Sequence, residues 1–192
     1  GATSADLILD SDRAAYVLGE QWRGAARGKK DVVFLAVGTG IGAGILVDGR
    51  LCRGAGDVAG AVGWFALTPH FRPDYANRGC FESEASGTAV AERALEVLAS
   101  KPSEMISEMV NDDFGRLTAE TVVEAARRGD SVAEDVIHQT ATYLAMGIAN
   151  IVSHYLINKN PEDVVEIRYE LAETWDTPVD ENPVYMMCGT SI

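Results

Sequence analysis

Apolar and polar positions fall in blocks along this chain, and the blocks predict an order of elements. Leu7-Ile8-Leu9 reads as a short strand ending in the polar cluster Asp10-Ser11-Asp12. Over residues 13–26 the apolar Ala15, Leu18 and Trp22 fall on helical spacing, which predicts a helix with Asp12 as its N-cap. Residues 31–36 and Ile45-Leu46-Val47 read as strands joined by a tight glycine turn, followed by a hairpin at Asp48-Gly49. A glycine-rich loop is expected over 54–63, and 64–79 reads as irregular, with Pro69 and Pro73. Ser86-Gly87 opens a helix through Leu98, a short one is expected around Met105, and 118–128 forms another.

The longest helix follows Asp130. Val132, Val136, Ile137, Leu144, Ile148, Ile151, Val152 and Tyr155 form a stripe too wide for a surface helix, so this helix is expected to be largely buried, with Leu144 in the core. Asn160-Pro161 ends it, residues 163–167 read as a strand, 173–183 as loop and 184–187 as a short strand.

The glycine turn carries the first chemistry. In Val37-Gly38-Thr39-Gly40-Ile41-Gly42-Ala43-Gly44, small residues alternate with glycine. Glycine permits positive φ and lets a ligand meet bare backbone N–H groups. A row of those groups attracts anions, so phosphate is the natural occupant. A glycine-rich turn that binds nothing fits the same residues.

Composition narrows the partners. The 192 residues are 47% hydrophobic and 23% charged, enough for one compact domain with a sizeable core. The net charge of −13 argues against nucleic acid as a main partner and against an anionic membrane surface. Cys52, Cys80 and Cys188 are odd in number and show no CxxC pair, which suits a reducing cytoplasm. No signal-peptide pattern opens the chain, and residues 139–153 are too short and too polar to cross a bilayer. A cytoplasmic protein is expected.

Several separated motifs then share one order. They are Asp10-Ser11-Asp12-Arg13-Ala14-Ala15 with Leu18-Gly19-Glu20, Gly38-Thr39-Gly40-Ile41-Gly42-Ala43-Gly44, and Asp48-Gly49-Arg50-Leu51. Gly60-Ala61-Val62-Gly63-Trp64, Gly79-Cys80-Phe81-Glu82, Ser86-Gly87 and Asn160-Pro161-Glu162 continue the series. In this the chain resembles the ROK family of sugar kinases and related repressors, which share the α/β actin-like ATPase (ribonuclease H-like) fold. The resemblance implies phosphoryl transfer from ATP, with Mg²⁺, to a sugar hydroxyl. It implies that Asp12 is the general base, that Gly38, Thr39 and Gly40 cradle the nucleotide phosphates, and that Ser11, Asp12 and Glu82 meet the sugar; Trp64, a departure from the family, is a further sugar-binding candidate. A homodimer is expected on the same ground. Local sequence offers a helix cap for Asp12 and a first-turn acid for Glu82, and neither role excludes the other.

The chain departs from the family pattern at several points. Ser11 stands where the family has Asn, and Ala61 and Trp64 replace the Glu and His of its Gly-Glu-Ile-Gly-His motif. Of the family's cysteine cluster Cys80 alone is present, so no zinc is expected and Cys80 should be a packed thiol. Trp64 either fills the space left by His and zinc in the core or covers an apolar sugar face. The resemblance further implies that residues 1–168 form the C-terminal lobe, that the N-terminal lobe with its Asp-x-Gly-Gly-Thr loop is missing, and that 169–192 form a divergent tail. Two functions remain: a kinase lobe needing its other lobe, and a non-catalytic sugar-binding or regulatory remnant. A repressor would carry a basic helix-turn-helix, which this acidic chain does not show.

Overall fold

The computed structural model describes residues 10–155 and the backbone of two further strands, 167–171 and 185–186. The expected strand at Leu7-Ile8-Leu9, the Asn160-Pro161 stop and the loop at 173–183 lie outside the described residues.

Helix α1 spans Asp12–Arg23, starting one residue earlier and ending three residues earlier than the sequence pattern implies. Ser11 is its N-cap position, with extended backbone and no side-chain cap bond, so Asp12 is the first helical residue rather than the cap. The buried face is Ala14 and Val17, while Leu18 and Trp22 are exposed, Trp22 at 71%. The apolar spacing was compatible with two faces one residue apart, and packing against the sheet selects the one whose side chains are small enough.

Strands β1 (Val32–Val37) and β2 (Ile41–Val47) pair antiparallel, from Val32 opposite Leu46 to Val37 opposite Ile41. At the turn to β3 (Arg50–Leu51), Asp48 and Gly49 have φ of 52° and 75°, the left-handed pair that a two-residue hairpin requires. Strand β4 (Ile167–Leu171) joins β1 in parallel and β5 (Tyr185–Met186) pairs antiparallel with β4, giving the order β3-β2-β1-β4-β5.

Alternation along β1 and β2 sends Val33, Leu35, Val37, Ile41, Ala43 and Ile45 to one face of the sheet. There they meet helix α3 (Cys80–Ala85), whose Phe81 is fully buried, and the C-terminal half of helix α7 (Ser131–Tyr155). On the other face Val32 and Leu46 pack against Val17 of α1. A second core is purely helical. It joins α4 (Gly87–Leu98), α5 (Glu104–Val110), α6 (Ala119–Arg127) and the N-terminal half of α7 through Val90, Ala94, Ile106, Val122, Val132 and Val136. Ser86, Ser103 and Thr118 cap α4, α5 and α6 by accepting the N–H three residues on. The one-turn helix α2 (Tyr75–Arg78) precedes α3.

The long helix is therefore shared between two cores, and it is not buried all round. Its buried residues are Val132, Ala133, Val136, Thr140, Gly147 and Ile151, Leu144 is half-buried, and Met146 is exposed. Where the helix crosses Phe81 the contact residue is Gly147, at which a Cβ would come within 2.2 Å of the ring. The stripe is wide because it serves two partners in turn.

Candidate functional site

The glycine segment turns from β1 into β2 without the left-handed backbone that its composition suggested, since none of its glycines has positive φ. Its glycines serve close approach. A Cβ on Gly40 would lie 2.7 Å from Glu82 Oε2, one on Gly42 2.5 Å from Arg13 Cδ, and one on Gly44 2.2 Å from the carbonyl oxygen of Arg13. Bare backbone here lets α1 and α3 come right up to the hairpin.

These approaches bring Glu82 to the glycine turn and Arg13 onto β2 at Gly42 and Gly44. Glu82, in the first turn of α3, accepts the amide N–H of Ile41 through Oε2 at 2.8 Å. The turn is held from its other side by the start of α4: Gly87 N–H donates to the Gly38 carbonyl at 2.7 Å, and Thr88 Oγ1 donates to the Thr39 carbonyl at 3.0 Å. Gly38 N–H closes the turn onto the Gly40 carbonyl. The carbonyls of the turn are thus occupied, while the N–H groups of Thr39 and Gly40 have no partner among the described residues. That polarity suits an anion.

Asp12 opens α1, and the residue after it, Arg13, crosses β2 at Gly42. Asp12 Oδ1 accepts the N–H of Arg13 at 2.8 Å, and the Ser11 hydroxyl lies 3.5 Å from the same oxygen. Oδ2 has no partner among the described residues, and the side chain is exposed. Two residues upstream, Asp10 is clamped by both terminal nitrogens of Arg53, at 2.8 and 2.5 Å. Hydrogen bonds from Arg53, then from the Ser11 N–H, hold its carboxyl down at about 2. A cavity of about 30 Å³ lies between Ser11, Arg13, Cys52, Arg53 and Gly60, well below the roughly 300 Å³ of a typical ligand pocket.

The loop 60–64 completes the cluster. Gly60 lies flat on β2, where a Cβ would come within 2.0 Å of the Ala43 carbonyl, and its own carbonyl accepts Ala43 N–H at 2.8 Å. Gly63 comes close to Glu82, with 3.3 Å from its Cβ position to Oε2. Trp64 follows and is 57% exposed, so it does not fill a core space vacated by His and zinc. Cys80 is buried, and its sulfur accepts the Leu67 N–H at 3.3 Å.

Sequence reasoning missed the device that fixes α3. Glu84, 4% exposed, accepts from Arg93 at 2.7 Å, from Arg72 at 3.3 Å and from the Tyr75 hydroxyl. Arg93, 8% exposed, also donates to the Glu84 carbonyl at 2.7 Å and to Thr140 Oγ1 at 2.9 Å. The network ties α2, α3, α4 and α7 together and so sets the position of Glu82. The signal available in the sequence was Arg93 itself, a cation on the apolar stripe of Val90, Ala94 and Leu98.

A small sheet faced by helices, with a glycine turn clasped by a helix-borne glutamate, is a part of the actin-like ATPase fold. The ROK family model matches residues 2–165, and the chain belongs to the ROK family. It is 34% identical over 166 residues to a glucokinase of Halalkalibacterium halodurans, covering 85% of this chain and 48% of that protein. It is also 34% identical over 168 residues to a xylose repressor of Caldicellulosiruptor bescii, covering 83% and 39%. Among solved structures it resembles a ROK glucokinase from Streptomyces griseus in complex with glucose and AMPPNP, with TM-score 0.69 and 29% identity over 77% of this chain and 48% of that one. The chain spans about half the length of the relatives it matches.

Proposed function

We infer that this chain is the C-terminal lobe of an ATP-dependent sugar kinase acting on a hexose or amino sugar, completed by an N-terminal lobe. The observation that carries this reading is the Glu82 clasp on the Gly38–Thr39–Gly40 turn, with the 60–64 loop reaching from Glu82 at Gly63 to Arg13, the residue after Asp12, at Gly60. With Oδ1 engaged, Asp12 keeps Oδ2 for the proton of the attacking hydroxyl and holds that oxygen towards the phosphate. The N–H groups of Thr39 and Gly40 would meet phosphate oxygens of ATP. Mg²⁺ would supply charge neutralisation, held mainly by those phosphates and water, since among the described residues no group of three or more His, Cys, Asp or Glu could hold a metal. The same arrangement of Cys80 favours a packed thiol over a zinc ligand. Ser11, Trp64 and Glu82 would line the sugar beside Asp12. On this reading the protein works in the cytoplasm as a homodimer on a small sugar and a nucleotide, without nucleic acid or membrane. No helix among the described residues is long and apolar enough to cross a membrane.

The test uses the full-length protein that contains this chain, assayed for ATP-dependent phosphorylation of a panel of hexoses and amino sugars. Asp12→Asn should lower kcat by about 10²–10⁴-fold with sugar binding and thermal midpoint retained. A second reading, a non-catalytic sugar-binding or regulatory protein, is favoured by Ala61 in place of a sugar-binding carboxylate and by the similarity to a xylose repressor. Sugar binding without phosphate transfer, together with a silent Asp12→Asn, would establish that second reading.

A further inference from the structure

We propose that Arg13 is a positioning residue that aims the Ser11 hydroxyl at Asp12 and ties both to the loop carrying Ala61 and Trp64; the proposal rests on the kinase reading of Asp12. Arg13 directly follows Asp12, yet its side chain turns back across the sheet. Its stem crosses β2 at Gly42, where a Cβ would stand only 2.5 Å from Cδ. Nη1 then donates to the Gly60 carbonyl at 3.0 Å, and Nε donates to Ser11 Oγ at 3.2 Å. One guanidinium thereby links the first turn of α1 to a loop 47 residues away in the chain. Its planar, fixed set of donors suits the task better than a flexible ammonium would.

The consequence for Asp12 follows from the valence of a hydroxyl. Ser11 Oγ carries one proton and accepts from the Arg13 Nε–H, so its own O–H is left to donate elsewhere. The acceptor it faces is Asp12 Oδ1, at 3.5 Å. Arg13 N–H already donates to that same oxygen at 2.8 Å. Main chain and side chain of Arg13 therefore act together on Oδ1, one directly and one through Ser11, and both leave Oδ2 free. Ser11 is shorter than the Asn of the family pattern, and the contact with Arg13 fixes the rotor that a rigid amide would not need fixed. Gly42 is the counterpart of the device, because any side chain there would displace the Arg13 stem.

Four variants of the full-length protein test this: Arg13→Ala, Ser11→Ala, the double variant and Arg13→Lys. Arg13→Ala should lower kcat about tenfold, the loss of one charge-assisted hydrogen bond, with KM for ATP unchanged. Because both residues act through one hydroxyl, Ser11→Ala in the Arg13→Ala background should lower kcat by less than twofold more. Arg13→Lys should recover part of the loss. Independently of any turnover, hydrogen exchange of the amides at 11–15 should accelerate in Arg13→Ala. Multiplicative effects of the two single variants, or a lowered thermal midpoint with kcat intact, would overturn the proposal. If the protein proves to have no kinase activity, the exchange measurement still decides the tether: unchanged exchange at 11–15 overturns it, and acceleration supports it while the kinase reading falls alone.

Discussion

Glu82 Oε2 accepts the amide N–H of Ile41 at 2.8 Å, and this one bond joins helix α3 to the first residue of strand β2. Ile41 is buried, so without Glu82 its N–H would be left unsatisfied. Glu82→Ala is therefore expected to destabilise the fold by about 1–3 kcal/mol, read from urea unfolding. Glu82→Gln keeps an oxygen acceptor and should lose roughly half as much. Equal losses in the two variants would mean that the carboxylate serves the loop in some other way. On the proposed kinase reading, a sugar hydroxyl would share Glu82 with the backbone, through the oxygen that Ile41 does not use.

The second expectation concerns Glu84, two residues further along the same helix. Its carboxylate answers two guanidinium groups and a phenol within a shielded site. Glu84→Ala strands Arg93 without a countercharge and should cost about 3–5 kcal/mol. Glu84→Gln, which retains hydrogen bonding, should cost less. A loss below about 1 kcal/mol, the range of exposed pairs, would show that solvent reaches Arg93.

The same network makes the protein sensitive to alkali. Desolvation raises the Tyr75 hydroxyl above its ordinary value of 10.0, and the neighbouring Glu84 carboxylate raises it further. Tyr75 thus holds its proton more tightly folded than unfolded. Its contribution to stability is complete below about pH 10 and is lost as the pH rises past the unfolded value. Tyr75→Phe should flatten the fall in unfolding midpoint above that pH, while leaving its slope near neutrality unchanged. Tyr143 and Tyr155, also raised by burial, should leave a residual slope.

Much of this fold was legible because local signals agreed with each other. Asp48-Gly49 specified its turn, and Ser86 and Thr118 marked helix starts that the structure keeps. The collinear motifs alone carry the family resemblance, which the family match over residues 2–165 bears out. What escaped was set by tertiary packing. Ala14 and Val17 displaced Leu18 and Trp22 from the sheet because the glycines of β2 admit a helix lying very close, which favours small residues at the contact. The α7 stripe looked like one buried face because its halves serve different cores. The Glu84–Arg93 pair spans two helices, so no local spacing announces it. For the candidate site, the sequence singled out Asp12, Glu82 and the glycine turn as candidates, whereas the contacts that Arg13 makes with Gly42 and Gly60 became visible only with the chain folded.

Trp64 supplies the last expectation, and it bears on the acceptor. An indole that is 57% exposed contributes little to a core, so its replacement should hardly touch stability. Beside Gly63, which meets Glu82, the ring is available to cover an apolar sugar face. Stacking of this kind is worth about 0.5–1.5 kcal/mol, which corresponds to roughly two- to twelvefold in affinity. In the full-length protein, Trp64→Ala should weaken sugar binding by that factor and leave the thermal midpoint in place, and Trp64→Phe should retain most of the affinity. Titration calorimetry with the sugar alone separates this effect from phosphate transfer. If Trp64→Ala instead lowers the midpoint by several degrees with sugar affinity intact, the ring packs against protein, and the proposed sugar contacts would be left to Ser11, Asp12 and Glu82.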